Sequence, residues 1–202
     1  MLERLTRLRL SDWVAPLGLS GLLLGLHLAG PAVTHALRYE RAAVLAGEWW
    51  RLATGHLVHA DGVHLGWNLV GIAIVWGLFG REYRLGQWLG VLFASTAAID
   101  AGFLAWQPAL AWYVGFSGVL HGAMAAGLLA WLVRSRDALT ALVGLLFAAK
   151  LAWEHALGAL PFTGATLSLP VVHEAHTFGA IGGALAAGLM LAAARRPGTR
   201  SL

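Results

Sequence analysis

The 202-residue chain has no cysteine, and only 12% of its residues are Asp, Glu, Lys or Arg. Without a thiol there can be no disulfide, thiolate nucleophile or Cys-ligated metal, so any chemistry falls to Ser, His, Asp, Glu or Lys. The charged fraction is about half that of a soluble domain, which excludes an ordinary water-soluble globule. Proline is also scarce, at six residues. No Pro- or Ser-rich stretch divides the chain, and residues 1–202 read as a single domain. Internal repeats and low-complexity tracts are absent, and the composition excludes disordered, collagen and coiled-coil classes. What the chain does have is 58% hydrophobic residues, 26 glycines and ten tryptophans. The mean hydropathy is +0.69, and several apolar runs reach about 20 residues, the length that crosses a bilayer. A net charge of +4 could suit nucleic acid, but the arginines cluster at the ends of apolar runs, where they set membrane orientation. The lipid bilayer is the expected environment, with no nucleic-acid partner.

Six windows qualify as spans: about 14–32, 64–80, 85–106, 117–133, 138–157 and 171–194. A backbone in lipid must satisfy its own hydrogen bonds, and Leu- and Ala-rich runs of this length suit helices rather than alternating barrel strands. The expected fold is therefore all-α, a polytopic bundle of six transmembrane helices. Arg4, Arg7 and Arg9 precede the first span in the manner of a signal peptide, but no small-residue cleavage pattern follows, and the span reads as a retained helix. Arg81 and Arg84 join spans two and three, Arg134 and Arg136 join four and five, and Arg195, Arg196 and Arg200 follow six. All four basic segments alternate to one side, so both termini are expected to be cytoplasmic. Residues 33–63 form the one long connection, an outer loop expected to carry structure of its own, with Trp49 and Trp50 at the headgroup level.

Polar side chains inside a span are costly, and each is a functional candidate. His64 and Asn68 open span two, Ser117 opens span four between Gly115 and Gly118, and His176 lies just inside span six. Spans two, four and six all run inward from the outer face, so these residues share one depth although they are far apart in sequence. A serine hydroxyl becomes a useful nucleophile when an imidazole can take its proton, and Ser117 with His176 supplies that pair. His64 and Asn68, four apart on one helical face, could donate to a developing oxyanion, together with the Ser117 backbone N–H at a helix start. Gly115 and Gly118 permit a sharp turn and a close backbone approach. Gly179 and Gly183 lie on the face of span six that carries His176, where they favour close packing on span four.

These residues resemble the motifs of the rhomboid family of intramembrane serine proteases. Glu48-Trp49-Trp50-Arg51 followed by His59, His64 and Asn68 resembles the family's first loop and second helix. Gly115-Phe116-Ser117-Gly118 is similar to its nucleophile motif, and Ala175-His176-Thr177-Phe178-Gly179 with Gly183 resembles its histidine helix. The resemblance runs from about Gly47 to Ala194. It implies a Ser117–His176 dyad without an acidic third member, which cleaves peptide bonds in or beside the transmembrane helix of membrane-protein substrates and needs no metal or organic cofactor. Four residues after the nucleophile this chain has His121, where many rhomboids carry an aromatic residue. Gly-Phe-Ser-Gly-Val-Leu-His-Gly, the additional His173 and the short chain look like the rhombosortase branch, which implies substrates ending in a Gly-Gly motif, one helix and a basic tail. The implied location is a bacterial inner membrane, with the active site opening to the periplasmic side.

Other residues carry plainer expectations. His59 and Arg51 are expected to hold the long loop in shape. His121 either orients His176, acts as base itself, or is a satisfied core histidine. His173 and His176 are candidate metal ligands with His64 or His121, although His173-Glu174-Ala175-His176 lacks one residue of the HExxH spacing. Lys150 and Glu154 are expected to neutralise each other, Asp100 to reach water near the outer end of span three, and His27, His35, His56 and His155 to carry no chemistry. Two other functional classes remain: a catalytically inactive rhomboid-like protein that binds membrane helices, and a small transporter, for which the chain offers neither half-repeats nor broken helices.

Overall fold

The computed structural model describes residues 10–135, 137–167 and 169–194. Arg4, Arg7, Arg9, Arg136, Arg195, Arg196 and Arg200 lie outside the described residues. After a 3₁₀ turn, helix α1 spans Val14–Leu28 and α2 spans Pro31–Leu37. The pair is bent by 113°. This corrects the first expected span, which runs to Leu28 and not to residue 32. Gly30, at φ +95°, turns the chain, and Pro31, whose fixed φ and missing N–H suit a first helical turn, starts the next helix.

The long segment 33–63 carries structure of its own. It holds α2, strand β1 (Tyr39–Glu40), α3 (Arg41–Leu45) and α4 (Trp50–Thr54). Helix α5 (Gly62–Phe79) is followed by α6 (Leu85–Trp106), strand β2 (Trp112–Tyr113), α7 (Ser117–Arg134), α8 (Ala138–Leu157), the short α9 (Pro161–Gly164) and α10 (His173–Ala194). The five long helices α5, α6, α7, α8 and α10 each meet the length and hydropathy needed to cross a membrane, and the bent α1–α2 pair makes a sixth candidate. The protein is an integral membrane protein built as a polytopic helical bundle.

β1 pairs antiparallel with β2, Tyr39 opposite Tyr113 and Glu40 opposite Trp112, which ties the long outer segment to the connection leading into Ser117. Arg51 reinforces that segment. It is buried and donates to Glu48 Oε2 at 2.6 Å and to the carbonyls of His35 and Arg38 at 3.0 and 2.9 Å. At the other end of the bundle Arg81 pairs with Asp12 at 2.5 Å, and Arg134 pairs with Glu82. The segment before α1 and the α5–α6 and α7–α8 connections therefore meet at one end.

Helix α10 packs most closely on α7 and α6, and the reason is the absence of side chains at the contact. A Cβ on Gly179 would stand 2.0 Å from the Gly118 carbonyl oxygen, and one on Gly183 would stand 2.0 Å from the Gly122 carbonyl oxygen. Small residues in lipid let two backbones touch, and here they do so along two turns. The contact begins beside Ser117 and His176, where a Cβ on Gly118 would stand 2.8 Å from the Ala175 carbonyl oxygen, so it fixes the distance between them.

Candidate active site

Three helices, α5, α7 and α10, begin at the same level, and their first turns bring His64, Asn68, Ser117 and His176 to one cavity of about 490 Å³. α5 starts on Asp61, whose side chain accepts the His64 backbone N–H at 2.7 Å and leaves the imidazole to point inward from the first turn. Its ring lies against Gly115, at φ +122°, where a Cβ would be 2.6 Å from His64 Cε1. A side chain at Gly115 would thus be strained in its backbone and collide with the ring. Asn68 is buried and donates through Nδ2 to the His64 carbonyl at 2.9 Å. One further Nδ2–H remains to it, while Oδ1 has no partner among the described residues.

Ser117 is the first residue of α7, so its N–H has no carbonyl one turn back within the helix. Its Oγ lies 2.9 Å from His176 Nε2. His176 is buried, and its Nδ1 lies 2.8 Å from Glu154 Oε2 on α8. His121, one turn below Ser117, stacks flat on His176 with ring centroids 4.0 Å apart and 13° between planes. Its Nδ1 reaches the Ser117 carbonyl at 2.7 Å, so that nitrogen carries the proton and Nε2 is the acceptor, 2.6 Å from Lys150 Nζ. Lys150 Nζ also lies 2.6 Å from Glu154 Oε2 and 3.4 Å from His176 Nδ1.

Every site residue expected from the sequence thus meets at one place, the supporting Gly115, Gly118, Gly179 and His121 included. One expectation is extended and one is corrected. Lys150 and Glu154 do bond each other, but they do not form an isolated pair, because the same Glu154 oxygen faces His176. Asp100 is buried rather than wet, and it lies 3.1 Å from His56 Nε2. A helical i, i+4 pair reads as self-sufficient in sequence, and the ring between its partners comes from a helix that starts 19 residues later. Tyr113 also escaped the sequence reading. Its hydroxyl donates to the Gly115 carbonyl at 2.8 Å and faces the Ser117 side chain and the Gly118 N–H, and burial raises the phenol so that it keeps its proton.

His121, Glu154 and His176 offer three ligand atoms within 4.8 Å of one another, a set that could hold a metal ion. The Lys150 ammonium already bonds to this group, so a metal would have to displace it. His173 lies away from this set, 3.6 Å from Glu174 and edge-on to His155. His59 is buried with neither ring nitrogen partnered among the described residues, and its ring meets His64 edge-on at 5.1 Å. Burial holds it neutral, pushed down from 6.5 to about 3.

A family model described as Rhomboid domain matches residues 46–193, most of the chain. The chain belongs to the rhomboid family. That family consists of intramembrane serine proteases acting on transmembrane substrates in the bilayer, and the matched segment holds the whole of the site just described. No curated protein matches this rhomboid.

Proposed function

We propose that this rhomboid is an active intramembrane serine endopeptidase. Ser117 Oγ attacks the scissile carbonyl carbon while its proton passes to His176 Nε2. The tetrahedral oxyanion is held by the Ser117 N–H and by side-chain N–H groups of His64 and Asn68. His176 returns the proton to the leaving amine, the C–N bond breaks, and an acyl ester remains on Ser117. Water, deprotonated by His176, then releases the new carboxylate; an amine in its place would give transpeptidation. The 2.9 Å approach of Ser117 Oγ to His176 Nε2 at the wall of the cavity is the observation that carries this reading.

The substrate is a membrane protein cut in or next to a transmembrane helix. Within the family we assign the chain to the rhombosortase branch, on the strength of His121 in Gly-Phe-Ser-Gly-Val-Leu-His-Gly, and its substrates to exported proteins that end in a Gly-rich segment, a helix and a basic tail. The site faces the periplasmic side of a bacterial inner membrane, both termini are cytoplasmic, and residues 1–202 act as one domain without metal or organic cofactor.

Labelling of the detergent-purified protein with a fluorophosphonate tests the reading, because activated serines react with it whatever the natural substrate. Wild type is expected to take up label, and Ser117→Ala and His176→Ala to lose it with folding intact. A folded wild type that takes up no label, in detergent and in bilayers, would overturn the proposal in favour of an inactive protein that binds membrane helices.

A further inference from the structure

A neutral imidazole can accept the Ser117 proton at Nε2 only if its own proton is on Nδ1, and something must hold it there. Glu154 Oε2 does so from 2.8 Å. The carboxylate is itself buried, and a lone charge there would be expensive, but Lys150 Nζ at 2.6 Å supplies the counter-charge. Lys150 is fixed in turn by His121 Nε2 at 2.6 Å, and His121 by its bond to the Ser117 carbonyl and its stack on His176. The chain of contacts starts at the nucleophile's own backbone and returns to the base that serves it. All these groups face one another from α7, α8 and α10.

We propose that Glu154 is the acidic third member of a Ser117–His176–Glu154 triad, a positioning residue that Lys150 and His121 hold in place. The inference rests on the reading of Ser117 and His176 as the catalytic pair. When His176 takes the Ser117 proton it becomes an imidazolium 3.4 Å from the Lys150 ammonium. Two cations at that separation need an anion between them, and Glu154 Oε2 bonds to both. The carboxylate stays ionised throughout: it fixes which ring nitrogen carries the proton and offsets the charge that forms, while the proton moves only between Ser117 Oγ, His176 Nε2 and the leaving group.

The test is the saturation kinetics of fluorophosphonate labelling, which separate the maximal rate from half-saturation, alongside thermal melting in detergent. Glu154→Gln keeps the shape and removes the charge. Its maximal labelling rate is expected to fall by about 10²-fold or more with half-saturation unchanged, within the range for a disabled base. Glu154→Asp, which keeps the charge but retracts it, should recover part of that loss. The double variant Lys150→Met/Glu154→Leu removes both charges and leaves no unpaired ion, so it is expected to fold, yet the maximal rate should stay at the level of Glu154→Gln or lower. If the two residues only neutralised each other, the double variant would label at the wild-type rate, and that result overturns the proposal. So does a wild-type rate in Glu154→Gln, which decides the matter should the double variant fail to fold. Failure of wild type to label would sink the catalytic pair and this inference together, whereas normal labelling of wild type and Glu154→Gln alike would sink only the latter.

Discussion

Gly183 lies two turns from His176, yet its replacement by alanine should disable the site. The three atoms nearest to a Cβ at this position are the O, C and Cα of Gly122, at 2.0, 2.4 and 2.6 Å. All are backbone, so no rotamer change relieves the clash. Real Cβ contacts essentially never fall below 3.0 Å, so α10 must retreat from α7 by at least about 1 Å. The Ser117 Oγ to His176 Nε2 distance, now 2.9 Å, spans the same helix pair. Lengthened by that amount it passes well beyond the roughly 3.0 Å limit of an O–H hydrogen bond. A misplacement of about 1 Å at reacting groups typically costs about 10²-fold in rate. Gly183→Ala should therefore reduce fluorophosphonate labelling of Ser117 about a hundredfold, with a stability loss of only about 1–3 kcal/mol from overpacking. Gly188→Ala is the control, since its nearest neighbour is the Leu129 Cδ2 atom at 4.0 Å. A folded Gly183→Ala protein that labels as fast as wild type would refute the argument that this glycine contact sets the catalytic distance.

Two further predictions concern the outer segment. His59 is neutral in the folded state down to about pH 3, whereas in the unfolded chain it charges below its ordinary 6.5. Because the folded value is depressed, the unfolded state binds the extra proton, and the contribution of His59 to stability is constant above pH 6.5 but falls with acid at about 1.4 kcal/mol per pH unit. The full loss approaches about 5 kcal/mol near pH 3; denaturation against pH should show it, His59→Leu should flatten that part of the profile, and an unchanged profile would count against the buried neutral imidazole. Arg51→Ala strips Glu48 and the carbonyls of His35 and Arg38 of their shared donor, which should cost about 3 kcal/mol. Melting in detergent would reveal it, and a midpoint within a degree of wild type would mean the guanidinium does not hold the loop.

The five long helices α5, α6, α7, α8 and α10 were legible because they follow from hydropathy and length alone. The break after Leu28 was not, because Gly30 and Pro31 sit within a window whose average remains apolar, and averaging hides a one-residue turn. The meeting of His64, Asn68, Ser117 and His176 was legible for a geometric reason. Helices that run in the same direction through a slab of fixed thickness must begin at the same depth, so their first turns are neighbours wherever packing permits. What depth cannot provide is lateral closeness, and the glycines of α7 and α10 supply that.

The same depth argument, carried one step further, accounts for the residues that sequence reading left aside. Helices α6 and α8 run the opposite way, so it is their last turns that reach the level where α5, α7 and α10 begin. Asp100 lies six residues before the end of α6 and Glu154 three before the end of α8. Both are buried carboxylates, and each meets a histidine from another element, His56 for Asp100 and His176 for Glu154. A charged residue in lipid costs about 2.5–3.5 kcal/mol at the helix centre, and a helical neighbour such as Lys150 offsets that without leaving the span. That is why the Lys150–Glu154 pair looked complete. A carboxylate, however, has two oxygens and accepts several bonds, so pairing with one lysine does not exhaust it. An intramembrane ion pair near the end of one helix should therefore be set against the imidazoles at the start of every helix that runs the opposite way. In this rhomboid that comparison brings Glu154 to His176.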